Sequence, residues 1–282
     1  MKNSKLIAID VDGTLLDDSK LLPRENREAL EEAVRGGAVV AIASGRMTPT
    51  IEPIQDLLGI DCVLIAYNGA KVVGRRASGR PTIFYRPVPA DVAEYLIELA
   101  RDRGHLLNFY HEDRLYAEDR PEIRPFRELY ESRTGARYQT EDLRRFAGTC
   151  PTKLILVDRP DVCDRLREEL RAVLDGRAVL TKSEREYLEI LAPGVDKGAA
   201  LERIALYERI PMRETYGIGD AENDVELVRR AGFGIAVANA IPEVKGVAKA
   251  VTERTNNEGA VAEAVRRWVL PGAPEAARAP SP

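Results

Sequence analysis

LIAIDVDGT, Leu6 to Thr14, is the stretch that decides the fold: four apolar residues run into two carboxylates and then a glycine and a hydroxyl. The apolar run lacks the polar alternation of a half-exposed strand, so it reads as a strand buried on both faces. Strand side chains alternate between faces, which starts Asp10 and Asp12 on one side and makes them converge on one pocket where the strand opens into a loop. Carboxylates gathered in this way repel each other unless a cation sits among them or one keeps its proton for acid and base work. Gly13 lets a ligand approach the backbone closely. Asp and Gly also favour plain turns, so the stretch has to be weighed with the rest of the chain.

Outward from this strand, the first part of the chain alternates strand and helix. PRENREALEEAVRGG reads as an amphipathic helix from Pro23 to Gly36 and Gly37, AVVAIA as a second buried strand, residues 49–58 as a helix, and CVLIAY as a third strand. Short apolar strands separated by helices pair in parallel with both sheet faces covered, and ligands bind at the carboxyl ends of such strands. From 82 to 191 the pattern becomes β-rich, with TIFYR, HLLNFY, RLYAE, KLILV, RAVLTK and YLEILA as strands among two or three helices, which reads as an inserted α+β unit. The parallel pattern returns with the helix DKGAALERIALYERI, the strand ETYGIGD, the helix NDVELVRRA, the strand FGIAVA and a last helix near residues 260–269. The expected organisation is a core of residues 1–81 and 192–270, an insert of residues 82–191, and a Pro- and Ala-rich tail, 271–282, that is disordered.

With 282 residues and 44% hydrophobic content, the chain can bury a sizeable core. Its net charge of -4 gives no general attraction to nucleic acid or to an anionic membrane, while a small anionic ligand stays compatible. Cys62, Cys150 and Cys163 lack metal or disulfide spacing and read as free thiols of a reducing compartment. No apolar run reaches the length of a bilayer span and no leader precedes the first strand, so a cytoplasmic location is expected.

Three more clusters fall at expected strand ends or helix starts. Ser44-Gly45-Arg46 offers a hydroxyl and flexible backbone donors to a phosphate oxygen. Lys197 opens a helix and can clamp an anion, although a lone lysine is more often a solvated charge. In YGIGDAENDVELV a strand discharges Asp220, Glu222, Asn223 and Asp224 before a helix; hard oxygen ligands of this kind suit Mg²⁺, while Asn223 and Asp224 also fit helix capping. Capping leaves unexplained why acidic groups recur at strand ends on both sides of the insert.

Taken in order, DVDGT at Asp10, SGR at Ser44, Lys197 in GVDKGAAL and GDAEND ending at Asp224 make the sequence resemble the haloacid dehalogenase superfamily, in particular its Cof-type, subfamily IIB phosphatases. NGA at Asn68 and ANA at Ala238 to Ala240 add to the likeness, which spans Leu6 to about Ala260; Ala221 and Leu227 depart from it where relatives often carry Gly and Met. The resemblance implies a doubly wound parallel α/β core with an inserted α+β cap that closes over the active site. It implies a Mg²⁺-dependent phosphatase acting through an aspartyl-phosphate, with Asp10 as nucleophile and Asp12 as general acid and then base. Ser44, Gly45, Lys197 and Asn223 would hold the phosphoryl group, and Asp10, the Asp12 backbone carbonyl, Asp220 and Asp224 would hold the metal. Arg46 and Asn68 are the candidates for substrate contacts. His105, His111 and the arginines of the insert, among them Arg120, Arg124, Arg127, Arg133 and Arg137, read as packed or solvated groups.

The expected substrates are small phosphorylated metabolites, sugar phosphates foremost, with flavin mononucleotide and pyridoxal phosphate also compatible; the protein is expected as a monomer or homodimer without nucleic-acid or membrane partners. A sucrose-phosphate or mannosyl-3-phosphoglycerate phosphatase and a phosphomannomutase share the motifs and stay open as alternatives. An inactive phospholigand-binding protein would have lost a catalytic residue, and Asp10, Asp12, Lys197, Asp220 and Asp224 are all present.

Overall fold

The computed structural model describes residues 4–270, so the expectation of a disordered 271–282 tail lies outside the described residues. The chain divides into two compact units, one comprising the chain up to Tyr85 and from Asp196 onward, the other Arg86–Val195.

In the first unit the strands are β1 (Leu6–Asp10), β2 (Val39–Ala43), β3 (Val63–Ala66), β4 (Lys71–Val73), β5 (Thr82–Tyr85), β12 (Thr215–Gly219), β13 (Phe233–Ala236) and β14 (Ala250–Val251). They form one sheet in the order β14-β13-β12-β1-β2-β3-β4-β5, parallel from β14 to β3 and antiparallel at the β4 and β5 edge. The helices are α1 (Arg24–Arg35), α2 (Thr48–Leu58), α6 (Lys197–Tyr207), α7 (Val225–Arg230), α8 (Pro242–Val247) and α9 (Ala260–Ala264). Sequence order runs outward from β1 through β2 and β3 on one side, and from β12 through β13 and β14 on the other. The reversal therefore falls between β1 and β12, the place where a doubly wound sheet opens a crevice at its strand ends.

Alternation along β1 decides what its last residue faces. Leu6 and Ala8 pack in the apolar layer with Ala200, Leu201 and Ile204 of α6. Asp10 is the next residue on that face, so the strand aims it at the start of α6. That helix begins sharply because Asp196 is its N-cap, with its carboxylate accepting from the Ala199 backbone N–H at 2.7 Å, a contact worth about 1 kcal/mol.

The second unit holds α3 (Ala90–Arg103), β6 (Leu106–His111), β7 (Arg114–Ala117), α4 (Arg124–Thr134), β8 (Tyr138–Thr140), β9 (Lys153–Val157), α5 (Pro160–Leu174), β10 (Val179–Glu184) and β11 (Tyr187–Leu191). Its sheet runs β10-β11-β9-β6-β7-β8, antiparallel except where β7 meets β8. One face is apolar: Leu107, Phe109, Leu154, Leu156, Leu188 and Ile190 pack with α3 and α5.

Several readings of the sequence change here. The first four residues of TIFYR, Thr82–Tyr85, belong to the first unit, because Gly74 and Pro81 let β5 fold back on β4 as an antiparallel edge, which moves the start of the insert from 82 to Arg86. Strands β4, β8 and β14 and helix α8 are too short for periodicity to mark them. The last helix leaves α geometry after Ala264 and continues as a wider π turn over Val265–Val269. His111 is the last residue of β6. Arg120 is not simply solvated: its guanidinium donates to the carbonyls of Ala100, Arg101 and His105, satisfying the C-terminal end of α3. His105 is paired, its Nδ1 2.6 Å from Asp158 Oδ2.

Candidate active site

Three strand or helix ends of the first unit meet around one ammonium. Lys197, wholly buried as the first residue of α6, donates from Nζ to Asp10 Oδ1 at 2.5 Å and to Asp224 Oδ1 at 2.6 Å. Asp224 arrives through the short 3-10 turn Glu222–Asp224 that precedes α7, and its other oxygen accepts the backbone N–H groups of Asp220 and Ala221, each at 3.1 Å. It therefore both closes the turn, as a capping residue would, and faces Lys197. Asp220 leaves the end of β12 and accepts from the Thr14 hydroxyl at 2.6 Å. Gly13, at φ 84°, passes so close that a Cβ there would lie 2.6 Å from Asp220 Oδ2. Bulk at that position would displace a carboxylate.

One oxygen from each of Asp10, Asp220 and Asp224 lies within 4.8 Å of the others. Three carboxylates against one ammonium leave two surplus negative charges in a buried place. Burial, reinforced by Asp224 and only partly offset by Lys197, pushes the Asp10 carboxyl well above the ordinary carboxylate range. Burial and Asp224 likewise push Asp220 up to about 7. Burial alone would lower Lys197, yet the neighbouring Asp10 and Asp224 carboxylates hold it above its usual value, so it stays charged. Hard oxygen donors with excess negative charge and no competing second cation are what a divalent ion requires, and the donor set fits one.

Asp12 does not join this group. The strand ends at Asp10, so alternation no longer governs where Asp12 points, and the chain instead turns it toward the loop after β2. Arg46 grips its carboxylate with two donors, Nε at 2.9 Å and Nη2 at 2.6 Å, and Lys20 adds a third at 2.9 Å. Burial works against ionisation, but these two cations outweigh it and keep the carboxyl below its usual range. Arg46 therefore meets Asp12, and Lys20 is a residue the sequence reading missed; it sits at φ 61° in the loop between β1 and α1, beyond the reach of any motif. Thr14 was inside the quoted motif, but only the structure shows its hydroxyl on Asp220.

Ser44 ends β2 on the same side of the sheet, nearly buried, with its hydroxyl accepting from the Arg46 backbone N–H at 3.1 Å. Asn68 and Asn223, from opposite halves of the sheet, come together with an Asn223 Nδ2 to Asn68 Oδ1 bond of 3.0 Å. Tyr67 and Asn68 both adopt left-handed backbone, at φ 51° and 54°, a local cost accepted where the chain rounds the strand ends. Asn239 of ANA holds the Gly13 carbonyl at 2.8 Å, bracing the first loop from behind.

Residues 7–265 match the haloacid dehalogenase-like hydrolase family. The chain belongs to that family. Among curated proteins it is similar to the 5-amino-6-(5-phospho-D-ribitylamino)uracil phosphatase YcsE of Bacillus subtilis, 30% identical over 266 residues that cover 94% of this chain and 96% of the relative. It is also similar to the HMP-PP phosphatase of Serratia proteamaculans, 29% identical over 243 residues, covering 86% and 87%. Among solved structures, TM0651 of Thermotoga maritima superimposes with a TM-score of 0.80 at 30% identity, covering 94% of this chain and 97% of that one. The chain is a phosphatase-type hydrolase with a Cof-type, doubly wound α/β core. Among the described residues no helix is long and apolar enough to cross a membrane.

Proposed function

We propose that this haloacid dehalogenase-type enzyme is a Mg²⁺-dependent phosphatase of small phosphorylated metabolites that works through an aspartyl-phosphate, and that Arg86–Val195 acts as the cap selecting them. What carries the reading is the wholly buried Lys197 bridging Asp10 and Asp224, because an ion pair placed at the crevice of a doubly wound sheet has a catalytic use and little structural need.

Asp10 is the nucleophile: its carboxylate attacks the phosphorus, the ester oxygen leaves with the alcohol, and water then cleaves the acyl phosphate to return the carboxylate. Lys197 holds Asp10 in place and offers its remaining donor to a phosphoryl oxygen, with the Ser44 hydroxyl, the Gly45 backbone and Asn223 as further donors. A divalent cation held by Asp10, Asp220, Asp224 and the Asp12 carbonyl would neutralise the two surplus charges and relieve the repulsion between carboxylate and phosphate. Asp12 is the acid that protonates the departing alkoxide, a step that requires it to carry a proton as substrate binds, and, having given that proton up, the base that activates water. Arg46 and Lys20 hold it in the ionised form that the second step uses. Arg46 and Asn68 remain the core residues placed to meet the rest of the substrate.

The relatives named above are a 5-amino-6-(5-phospho-D-ribitylamino)uracil phosphatase and an HMP-PP phosphatase, which supports a small polar metabolite and leaves sugar phosphates as the first compounds to try. Phosphate release from a panel of sugar phosphates, nucleotides, flavin mononucleotide and pyridoxal phosphate, with Mg²⁺ and with a chelator, tests the reading. Metal-dependent release that Asp10→Asn abolishes is expected; release that survives this substitution would remove Asp10 as nucleophile.

A further inference from the structure

The loop that follows Asp10 is tied down twice over. Its N–H groups close it on the strand end: Leu15 N–H donates to the Asp10 and Val11 carbonyls, each at 3.1 Å, and Leu16 N–H donates to Val11 at 3.0 Å. Leu16 also pairs back on Asp12 in a single bridge. Its carbonyls are taken by asparagines. Asn26 Nδ2 donates to the Leu15 carbonyl at 3.0 Å and Asn256 Nδ2 to the Leu16 carbonyl at 3.2 Å, while Asn239 holds that of Gly13. These bonds pin the chain on both sides of Thr14, whose hydroxyl donates to Asp220.

Helix packing alone does not ask for these amides. Asn26 lies on the buried stripe of α1 with Ala29, Leu30 and Ala33, where the helical repeat calls for an apolar side chain, and it is 0% exposed. Asn256 is nearly as deep, at the start of the 3-10 turn Asn256–Glu258. Each amide is also fixed in one sense. The Ala262 N–H donates to Asn26 Oδ1 and the Asn256 N–H to Asn239 Oδ1, both at 2.9 Å. A backbone N–H only donates, so in both residues Nδ2 is left for the loop carbonyl. Asn256 Nδ2 also donates to the Asp18 carboxylate at 2.9 Å, which only accepts when ionised. Neither an apolar side chain nor a carboxylate of the same shape could hold a carbonyl at these places.

We infer that Asn26, Asn256 and Asn239 are positioning residues for the divalent cation, acting through Thr14 on Asp220. The inference rests on the reading of Asp10, Asp220 and Asp224 as ligands of that cation. The Thr14 hydroxyl holds one oxygen of Asp220 at 2.6 Å and so sets the rotation of the carboxylate that the cation meets. Any turn of the chain about Thr14 carries this hydroxyl with it. The peptide before Thr14 is held at the Gly13 carbonyl, and Leu15 after it is held at both its N–H and its carbonyl, so the hydroxyl is aimed before the cation arrives.

Isothermal titration of the whole chain with Mg²⁺ reads the effect without turnover. Asn26→Ala and Asn256→Ala should each weaken binding about fivefold, the scale of one hydrogen bond, and Thr14→Val by a similar factor. Because the asparagines act through Thr14, Asn26→Ala combined with Thr14→Val should bind no more weakly than the weaker single variant, whereas independent effects would multiply to about twenty-five-fold. Asn256→Ala carries the same cycle if Asn26→Ala fails to fold. Lys5→Met separates positioning from general loss of stability: it removes the ammonium that holds the Val269 and Leu270 carbonyls just before β1 begins, and should lower stability in urea with Mg²⁺ affinity unchanged. Affinity unchanged in the folded asparagine variants, multiplication in the cycle, or an equal loss of affinity in Lys5→Met overturns the inference. Failure of the metal reading looks different, because wild-type protein would then bind no Mg²⁺ and release phosphate equally well in chelator.

Discussion

The surplus charge around Lys197 makes the metal-free enzyme less stable as pH rises, and the size of the effect follows from Asp220. Its carboxyl moves from 3.8 to about 7 on folding because burial and Asp224 disfavour its charged form. A raised pKa means that the folded state binds the proton more tightly than the unfolded state. The contribution is therefore complete below the unfolded value and is lost as pH climbs through the folded one. About three units at 1.36 kcal/mol each give roughly 4 kcal/mol between about pH 4 and pH 7, and Asp10 adds to it in the same direction. A divalent cation replaces the proton as the compensating charge, so its binding should strengthen over the same interval and restore about 2.7 kcal/mol at a hundred times its Kd. Urea unfolding with chelator and with Mg²⁺, at about pH 5 and pH 8, reads both effects. Asp220→Asn keeps the shape, removes the charge, and should be more stable than wild type in chelator at the higher pH while losing most of the Mg²⁺ response. Chelated wild-type protein whose pH dependence equals that of Asp220→Asn, or Mg²⁺ that stabilises both equally, would refute the argument.

Lys197→Met should abolish turnover yet bind Mg²⁺ at least as tightly as wild type, since the three carboxylates lose their internal cation; isothermal titration with Mg²⁺ beside a phosphate-release assay separates the two effects. Arg46→Ala removes the stronger of the two cations that hold Asp12 ionised, so the acidic limb of the rate of aspartyl-phosphate hydrolysis, the step that uses ionised Asp12, should move to higher pH, as a pH series of single-turnover dephosphorylation would show. Gly69→Ala places a Cβ 2.4 Å from the Asp196 carbonyl at φ 102°, where no relaxation of one side chain relieves the clash. A loss of about 2–3 kcal/mol in urea unfolding is expected, with activity falling further because Asp196 sets the start of α6 beneath Lys197.

What the sequence made legible was whatever repeats a local rule. The strands β1, β2, β3 and β12 are continuous apolar runs, and the motifs at their ends identify Asp10, Ser44 and Asp220 as neighbours once the sheet is taken as doubly wound. The edge was not legible, because β4 has three residues and β14 two, and TIFYR looks the same whether it begins an insert or ends a core. The error over Asp12 has a different origin. Alternation is a property of a strand, and β1 stops at Asp10, so the direction of Asp12 is set by Arg46 from the loop after β2 and by Lys20 further along its own loop. Partnerships between residues far apart in sequence, such as Thr14 with Asp220 or Asn68 with Asn223, have no local signal at all.

These two kinds of residue also differ in what holds them in place. Residues identified by motif sit at element ends whose positions the apolar core fixes: Leu6 and Ala8 against α6 aim Asp10, and the Asp196 cap starts α6 at Lys197. Their side chains form a constellation that is unfavourable by itself, with two charges too many, and the core supplies the energy that keeps it together. Residues whose partners only the structure shows do the reverse. Lys20, Thr14 and Asn239 relieve local charge or brace a loop. It follows that neutralising any one of Asp10, Asp220 or Asp224 should relax the empty site while disabling the loaded one. Replacing Lys20 by Met or Thr14 by Val should have the opposite balance, costing some stability and leaving the chemistry slower but intact.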